Sequence, residues 1–377
     1  MNAALVNLTA AGGAAGWSPK FLPGEPAPWF VAATPTSPRF HFSTTAGRYV
    51  LLGFAPPPGP ARDAMFAAMR ANMPLFDDAH LAAFMILRDA DSISKARDYN
   101  IGLRWFLDAD GEVSRMYGAE TGQMPGRPYW LLLDPALRVM AQAPLEATAA
   151  MFEMVAGLPA VDDYAGVPIH APVLIVPRVL EPALCRELIA YYEARGGTPS
   201  GVMRQVGDRT VGVLDDFKRR KDVAIDDPAL RRRLLTRIAR RLKPEIAKTF
   251  QFETTRVERY IVACYDAADG GYFWPHRDNG TSATAHRRFA VSINLNAEDF
   301  EGGDLRFPEF GRRTYRPPTG GAVVFCCSLL HEATPVTKGR RYAYLPFLYD
   351  EAGRAIREAN SGALDRSPPE PAGADIP

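Results

Sequence analysis

The sequence predicts a two-domain α+β protein, with an α/β layer unit in the first half and a strand-built sandwich or barrel in the second. Two patterns carry that expectation. From about Trp17 to Pro159 short apolar runs alternate with helical ones, the order expected of a central sheet covered by helices. From 256 to 350 many short strand-like runs are separated by Gly and Pro turns, as in double-sheet β architectures. The segment "GLPAVDDYAGVPIHAPVLIVPRVL", rich in Pro, Gly and acidic residues, marks the junction. The expected domains are therefore 1–160 and 161–355, with a tail at 356–377.

Composition bounds the function. The 377 residues are 47% hydrophobic and 23% charged, ordinary for a globular chain with two cores. Lys plus Arg number 44 and Asp plus Glu 43, so net charge gives no pull toward nucleic acid or an anionic membrane. No apolar run approaches the roughly 20 residues that span a bilayer. The start, "MNAALVNLTAAGGAAGW", lacks a basic region and reads as a loosely ordered leader rather than a signal peptide. Cys185, Cys264, Cys326 and Cys327 have no zinc-ligand spacing and read as reduced, mostly buried thiols, which suits a reducing cytoplasm.

In the first half, "YVLLGFAP" reads as a core strand, "AMFAAMRANMPLF" as a helix and "LAAFMILRDA" as a second strand. "RWFLDADGEVSRMYGA" and "PYWLLLDPALRVMAQAP" follow, with Asp110-Gly111 as a turn. Past the junction, "EPALCRELIAYYEARGG" reads as a helix stopped by Gly196-Gly197. A basic stretch then puts Leu230, Leu234, Ile238 and Leu242 on one stripe, with arginines on the other face. The expected result is an amphipathic helix laid on the second domain's sheet, its basic face in solvent. The remaining strands are "RVERYIVACY", "RFAVSINLN", "GDLRFPEFG", "GGAVVFCC" and "RYAYLPFLY". After about Glu358 the composition is that of a disordered tail.

The chemistry concentrates in three residues. His276 and Asp278 form a His-x-Asp pair in "GGYFWPHRDN", and His331 follows 53 positions after the aspartate. Two imidazoles and one carboxylate on one face of iron(II) leave positions open for dioxygen chemistry. Arg341 comes ten residues beyond His331, a cation spaced to reach an anionic co-substrate in the same cavity. On a strand its neighbour Arg340 faces the other way. An arginine fork grips a carboxylate through paired hydrogen bonds that Lys338, a point charge, does not reproduce. His286, in "TAHRRF", reads as a polar loop residue near the mouth of the site, and Arg287 and Arg288 as facing either substrate or solvent.

Two family resemblances refine this. "GEPAPWF", "GRYVLLGFAP", "FLDADGEVSRMYG" and "RPYWLLLDP", covering most of residues 20–155, resemble a peroxiredoxin of the thioredoxin-like superfamily. That family carries its peroxide-reducing cysteine just after the strand matching "VLLGFAP"; this chain has "PPPGPARDAMF" there and no cysteine before Cys185. Without a thiolate nucleophile the resemblance implies the fold without the peroxidase activity, and Arg127 is left with no thiolate to serve. Docking, dimerisation to a homodimer or substrate capture remain open as its role.

"YIVACYDAADGGYFWPHRDN", "INLNAEDFEGGDLRFPE" and "HEATPVTKGRRYAYLPFLYD" resemble the prolyl 4-hydroxylase branch of the 2-oxoglutarate/iron(II) oxygenases, over about half the chain. The resemblance implies a double-stranded β-helix (jelly-roll) domain with flanking helices. It gives His276, Asp278 and His331 to iron(II), Arg341 to the distal carboxylate of 2-oxoglutarate, and Tyr265 to the co-substrate pocket. Asn294 stands where hypoxia-sensing relatives have a tyrosine touching that carboxylate, so the contact there is shortened, water-mediated or absent. Implied with it are C–H hydroxylation of a prolyl, amino-acid or peptide substrate, consumption of dioxygen, release of succinate and carbon dioxide, and ascorbate as accessory reductant. Rival readings are a thiol peroxidase or redox relay, opposed by the missing cysteine, and an interaction protein with a vestigial barrel.

Overall fold

The computed structural model describes residues 6–7, 20–97, 101–120, 127–365 and 370–371. It divides into two compact units: Met1–His170 with Pro308–Arg312, and Ala171–Phe307 with Arg313–Pro377. Apart from Val6–Asn7, the leader expected at the start lies outside the described residues. No helix among the described residues is long and apolar enough to cross a membrane.

The first unit is built on one sheet. Its strands are β1 (Val6–Asn7), β2 (Val31–Thr34), β3 (Ser37–His41), β4 (Tyr49–Phe54), β5 (Leu81–Leu87), β6 (Leu103–Leu107), β7 (Tyr129–Leu133) and β8 (Val139–Pro144). Its α-helices are α1 (Pro60–Ala71), α2 (Ala90–Lys95), α3 (Glu112–Met116) and α4 (Thr148–Ala156). The strand order is β1-β8-β7-β4-β5-β6-β2-β3, with β4, β5 and β6 parallel and β7 antiparallel to β4. Every residue of β4, β5 and β7 is buried, which is why these strands read as unbroken apolar runs rather than alternating ones. The loop after β4 enters α1 at Pro60, a proline whose missing N–H costs a first helical turn nothing. Arg127 is exposed, outside any strand or helix.

The second unit contains β9 (Leu174–Val176), α5 (Pro182–Arg195), β10 (Thr198–Pro199), β11 (Val202–Val206), β12 (Arg209–Leu214), β13 (Lys218–Arg219) and β14 (Lys221–Ala224). Next come α6 (Pro228–Arg237), α7 (Lys243–Phe250), β15 (Arg256–Glu258), β16 (Ile261–Asp266), β17 (Tyr272–His276), β18 (Phe289–Asn294), β19 (Phe300–Gly302) and β20 (Leu305–Arg306). Last are β21 (Thr314–Tyr315), β22 (Ala322–Cys326), β23 (His331–Ala333), β24 (Val336–Tyr344), β25 (Phe347–Tyr349), α8 (Glu351–Ala359) and β26 (Glu370–Pro371). A larger sheet runs β10-β14-β16-β24-β18-β22-β9 and a smaller one β13-β17-β23-β20-β21. From β16 to β24 the chain passes back and forth between these two sheets, the winding of a jelly roll.

Side-chain parity on the larger sheet decides what reaches the interior. Val262, Cys264, Val291, Ile293, Tyr342 and Tyr344 pack in one cluster with Leu184, Leu188, Leu230 and Leu234 of the helices. The alternate residues Ile261, Ala263, Tyr265, Ala343 and Leu345 form a second cluster with Ala333 of the smaller sheet. The helical stripe expected from the sequence, Leu230, Leu234, Ile238 and Leu242, is fully committed to the first cluster. Between α6 and α7 the turn Ile238–Leu242 widens to a π-helix just before Pro244, which has no N–H to close the α-helical ring there.

All four cysteines are free thiols, and burial raises the pKa of both Cys185 and Cys264 to about 11. The segment composition marks as a tail begins within α8, and Glu370–Pro371 pairs in parallel with β12; residues 366–369 and 372–377 lie outside the described residues.

Candidate metal and co-substrate site

His276 ends β17 and His331 begins β23, and the two are direct partners in the antiparallel ladder between those strands. The register slips between Phe273 and His276, so the strand bulges as it delivers the first histidine. Asp278 follows two residues later, its backbone N–H donating to the Cys327 carbonyl at 2.9 Å. The His331 Nε2 lies 3.2 Å from Asp278 Oδ2 and the His276 Nε2 lies 3.6 Å from Asp278 Oδ1. One ligand atom from each of the three falls within 4.8 Å of the others.

Each ring is oriented by its own backbone. His276 Nδ1 donates to the Trp274 carbonyl at 2.7 Å, and His331 Nδ1 to the Leu329 carbonyl at 3.0 Å. A carbonyl only accepts, so the proton of each neutral ring sits on Nδ1 and the Nε2 lone pair points at the carboxylate. Burial, with His331 alongside, lowers the pKa of His276 to about 4, so it is neutral near pH 7. Two lone pairs and an anion converging in a buried place repel one another unless a cation sits among them. The donor set therefore fits a divalent metal. Phe273 stacks on the His276 ring at 3.4 Å between centroids, and Phe325 lies 4.5 Å from the His331 ring.

The same cavity carries Arg341, Tyr265, Ser292, Arg220 and Arg259. Arg341 projects inward with Ala343, as strand alternation requires, and is only 3% exposed. Its Nη2 donates to Ser292 Oγ at 2.8 Å and its Nε to Asn294 Oδ1 at 3.4 Å, and its guanidinium lies 5.2 Å from the Tyr265 ring. It makes no ion pair with any described residue, so a buried cation faces the cavity without an anion. Arg340 points away and pairs with Asp266 at 2.8 Å.

His276, Asp278, His331, Arg341 and Tyr265 thus converge, and Asn294 stands against Arg341 rather than in the cavity lining. Its amide holds Arg341 on one side and the Pro317 carbonyl at 3.0 Å on the other, positioning the arginine. Ser292, Arg220 and Arg259 were not singled out by sequence. Ser292 was findable, since it shares the inward face of β18 with Asn294. His286 lies in the turn between β17 and β18, as a loop residue, but it is 1% exposed, its Nε2 2.5 Å from Glu258 Oε2. Arg287 joins the same carboxylate at 2.7 Å, so it faces neither substrate nor solvent, while Arg288 is half-exposed beside Asp350.

Comparison with known proteins agrees with this donor set. Residues 260–349 match the 2OG-Fe(II) oxygenase superfamily. That oxygenase region implies iron(II) and 2-oxoglutarate, the ion and the dicarboxylate that the triad and Arg341 suit. Among curated relatives, a PKHD-type hydroxylase of Synechococcus sp. is 29% identical over 133 residues, 34% of this chain and 53% of the relative. Another, from Pseudomonas fluorescens, is 34% identical over 112 residues, 28% of this chain and 47% of the relative. The chain spans about half the length of the curated relatives it matches. A solved Pseudomonas putida prolyl-4-hydroxylase aligns at 20% identity with a TM-score of 0.38, over 50% of this chain and 96% of that one. A Trichoplax adhaerens prolyl hydroxylase, solved with a hypoxia inducible factor peptide, aligns at 20% identity with a TM-score of 0.37, over 49% and 86%.

Proposed function

We propose that this protein is an iron(II)- and 2-oxoglutarate-dependent dioxygenase that hydroxylates an aliphatic C–H of a prolyl, amino-acid or peptide substrate. The observation that carries it is one buried cavity holding three metal ligands and, beside them, an arginine with no anion of its own. Iron(II) bound by His276, Asp278 and His331 would supply dioxygen activation coupled to decarboxylation of 2-oxoglutarate to succinate and carbon dioxide.

The protein's own part is placement. Arg341 fixes the far carboxylate of the co-substrate, with Ser292 and Asn294 holding its guanidinium in one orientation. Tyr265 and the apolar residues Phe273, Ala290, Leu305 and Phe347 wall the cavity and exclude water from the reacting groups. The Nδ1 bonds keep both imidazoles presented as ligands rather than as proton donors.

For the first unit, the β8-β7-β4-β5 order with a helix between β4 and β5 supports a thioredoxin-like domain descended from peroxiredoxins and lacking their cysteine. We assign it recruitment of a protein or peptide partner, or self-association to a homodimer. A cytoplasmic location and a need for ascorbate belong to the same proposal.

The test is a succinate assay on the iron-loaded full chain, with peptide and amino-acid pools screened by mass spectrometry. Succinate formation and a 16-dalton product gain, both dependent on iron and 2-oxoglutarate, are expected. Metal binding without any 2-oxoglutarate turnover would favour the vestigial barrel instead.

A further inference from the structure

We infer that Arg259 is a binding site for a carboxylate of the substrate, so that the molecule oxidised carries an acidic group close to the carbon attacked. This rests on the oxygenase reading above and narrows it to a class of substrate.

Arg259 borders the same cavity as the triad and Arg341. Among the described residues its guanidinium makes one hydrogen bond, from Nε to the Leu345 carbonyl at 3.1 Å, and no ion pair. It lies 4.3 Å from the Phe347 ring, which Arg287 also approaches at 4.0 Å. The two terminal nitrogens, the fork that matches a carboxylate, are left for whatever enters the cavity.

Its cationic neighbours differ. Arg220 pairs with Asp222 at 2.6 Å and Arg287 with Glu258 at 2.7 Å. Lys218 donates to Ser200 Oγ at 2.7 Å and the Gly201 carbonyl at 2.9 Å, and burial pushes its pKa well below the usual lysine value. Arg259 lacks such an answer. Burial and the nearby Arg220 and Arg287 lower its pKa to about 10, outweighing the more distant Asp222 and Asp278, the direction expected of a cation with no anion bonded to it.

A charge count gives the same result. Iron(II) brings two positive charges, offset in part by Asp278; 2-oxoglutarate brings two negative charges and Arg341 one positive. These sum to zero, and the Arg220–Asp222 and Arg287–Glu258 pairs are neutral in themselves. One positive charge, that of the half-buried Arg259, is then left against the loaded cavity, and a cation partly withdrawn from water is stabilised by an anion beside it. Arg259 has φ 67°, a left-handed conformation between β15 and β16 that non-glycine residues rarely adopt.

Arg259 and Arg341 also have different surroundings. Arg341 is fixed by Ser292 and Asn294, whereas Arg259 is fixed by Leu345 and Phe347. Two guanidiniums with separate supports fit two anions rather than one.

The test uses full-length protein loaded with Mn(II), which binds such ligands without turnover, and saturated with 2-oxoglutarate. Binding of N-acetyl amino acids, N-acetylproline included, is compared with that of their methylamides by calorimetry. A third arm uses C-terminally amidated peptides with Asp beside Pro, which separates a main-chain carboxylate from an acidic side chain as the source. Acids, or Asp-containing peptides, should bind roughly tenfold or more tightly than their neutral counterparts. Arg259→Gln should erase that preference while leaving 2-oxoglutarate affinity within about twofold, and Arg259→Lys, which keeps the charge, should retain part of it. Wild-type protein that binds Mn(II) and 2-oxoglutarate but shows no preference for acids would overturn this inference alone. So would an Arg259→Gln protein that loses 2-oxoglutarate roughly tenfold or more, since Arg259 would then hold the co-substrate. Failure of the wild type to bind Mn(II) and 2-oxoglutarate would overturn the oxygenase reading and this inference with it.

Discussion

His276 and His331 face each other across the β17–β23 ladder, their rings 4.3 Å apart between centroids. The hydrogen-bonded ladder, rather than a flexible loop, therefore sets the distance between two candidate metal ligands, and of the three only Asp278 lies outside a strand.

The triad should act as a unit. His276→Ala, Asp278→Ala and His331→Ala should each abolish succinate formation while far-UV circular dichroism stays as in the wild type. Saturating Mn(II) should raise the melting temperature of the wild type, reflecting about 2–3 kcal/mol at a hundredfold excess over Kd, and leave the variants unmoved. A variant still stabilised by metal would lose its place among the ligands.

Arg341 and Arg340 are adjacent but should behave oppositely. Arg341→Gln removes a fork facing the cavity, so the KM for 2-oxoglutarate should rise roughly a hundredfold, from about 3 kcal/mol of charged hydrogen bonding. Arg340→Gln removes an exposed ion pair with Asp266 and should leave KM unchanged. Equal effects in the two variants would mean that strand parity does not govern co-substrate binding.

Acid stability should depend on Glu258. Burial opposes its ionisation, but His286 and Arg287 hold its carboxyl well below the usual range. Its native pKa is thus below the unfolded value of about 4.3, so its contribution is complete above that pH and is lost as pH falls toward the native value. Glu258→Gln should cost about 3 kcal/mol at pH 7 and flatten the acid limb of a stability-against-pH curve. An unaltered acid limb would show that other carboxylates dominate.

The first unit should not reduce peroxides. No cysteine precedes Cys185 in the sequence, and the loop entering α1 offers prolines where a thiolate would be needed. Hydrogen peroxide with a thiol donor should be consumed no faster with the protein than without it.

Much of the site was legible because strand alternation and ligand spacing are local. That Arg340 and Arg341 face opposite ways follows from period two, with the spacing from His331 choosing Arg341 as the inward one, and the helical stripe from Leu230 to Leu242 follows from period 3.6. What escaped depends on distant partners or broken periodicity. Arg259 sits at a positive φ between two strands, where alternation lapses, so nothing in "RVERYIV" says which way it turns. His286 lies in a loop as read, but its burial was hidden because its partner, Glu258, lies 28 positions earlier and on another strand. Asn294 was read by analogy with a tyrosine, and its shorter side chain reaches the arginine instead.

Because the Trp274 and Leu329 carbonyls anchor the two imidazoles from just upstream in the same chain segments, and only Phe273 and Phe325 pack closely on the rings, ring orientation owes little to the chamber's more distant lining. Mutational drift could therefore reshape that distant lining for new molecules without turning the two rings, a modularity that would let one scaffold diversify while the proposed ligand set stays intact.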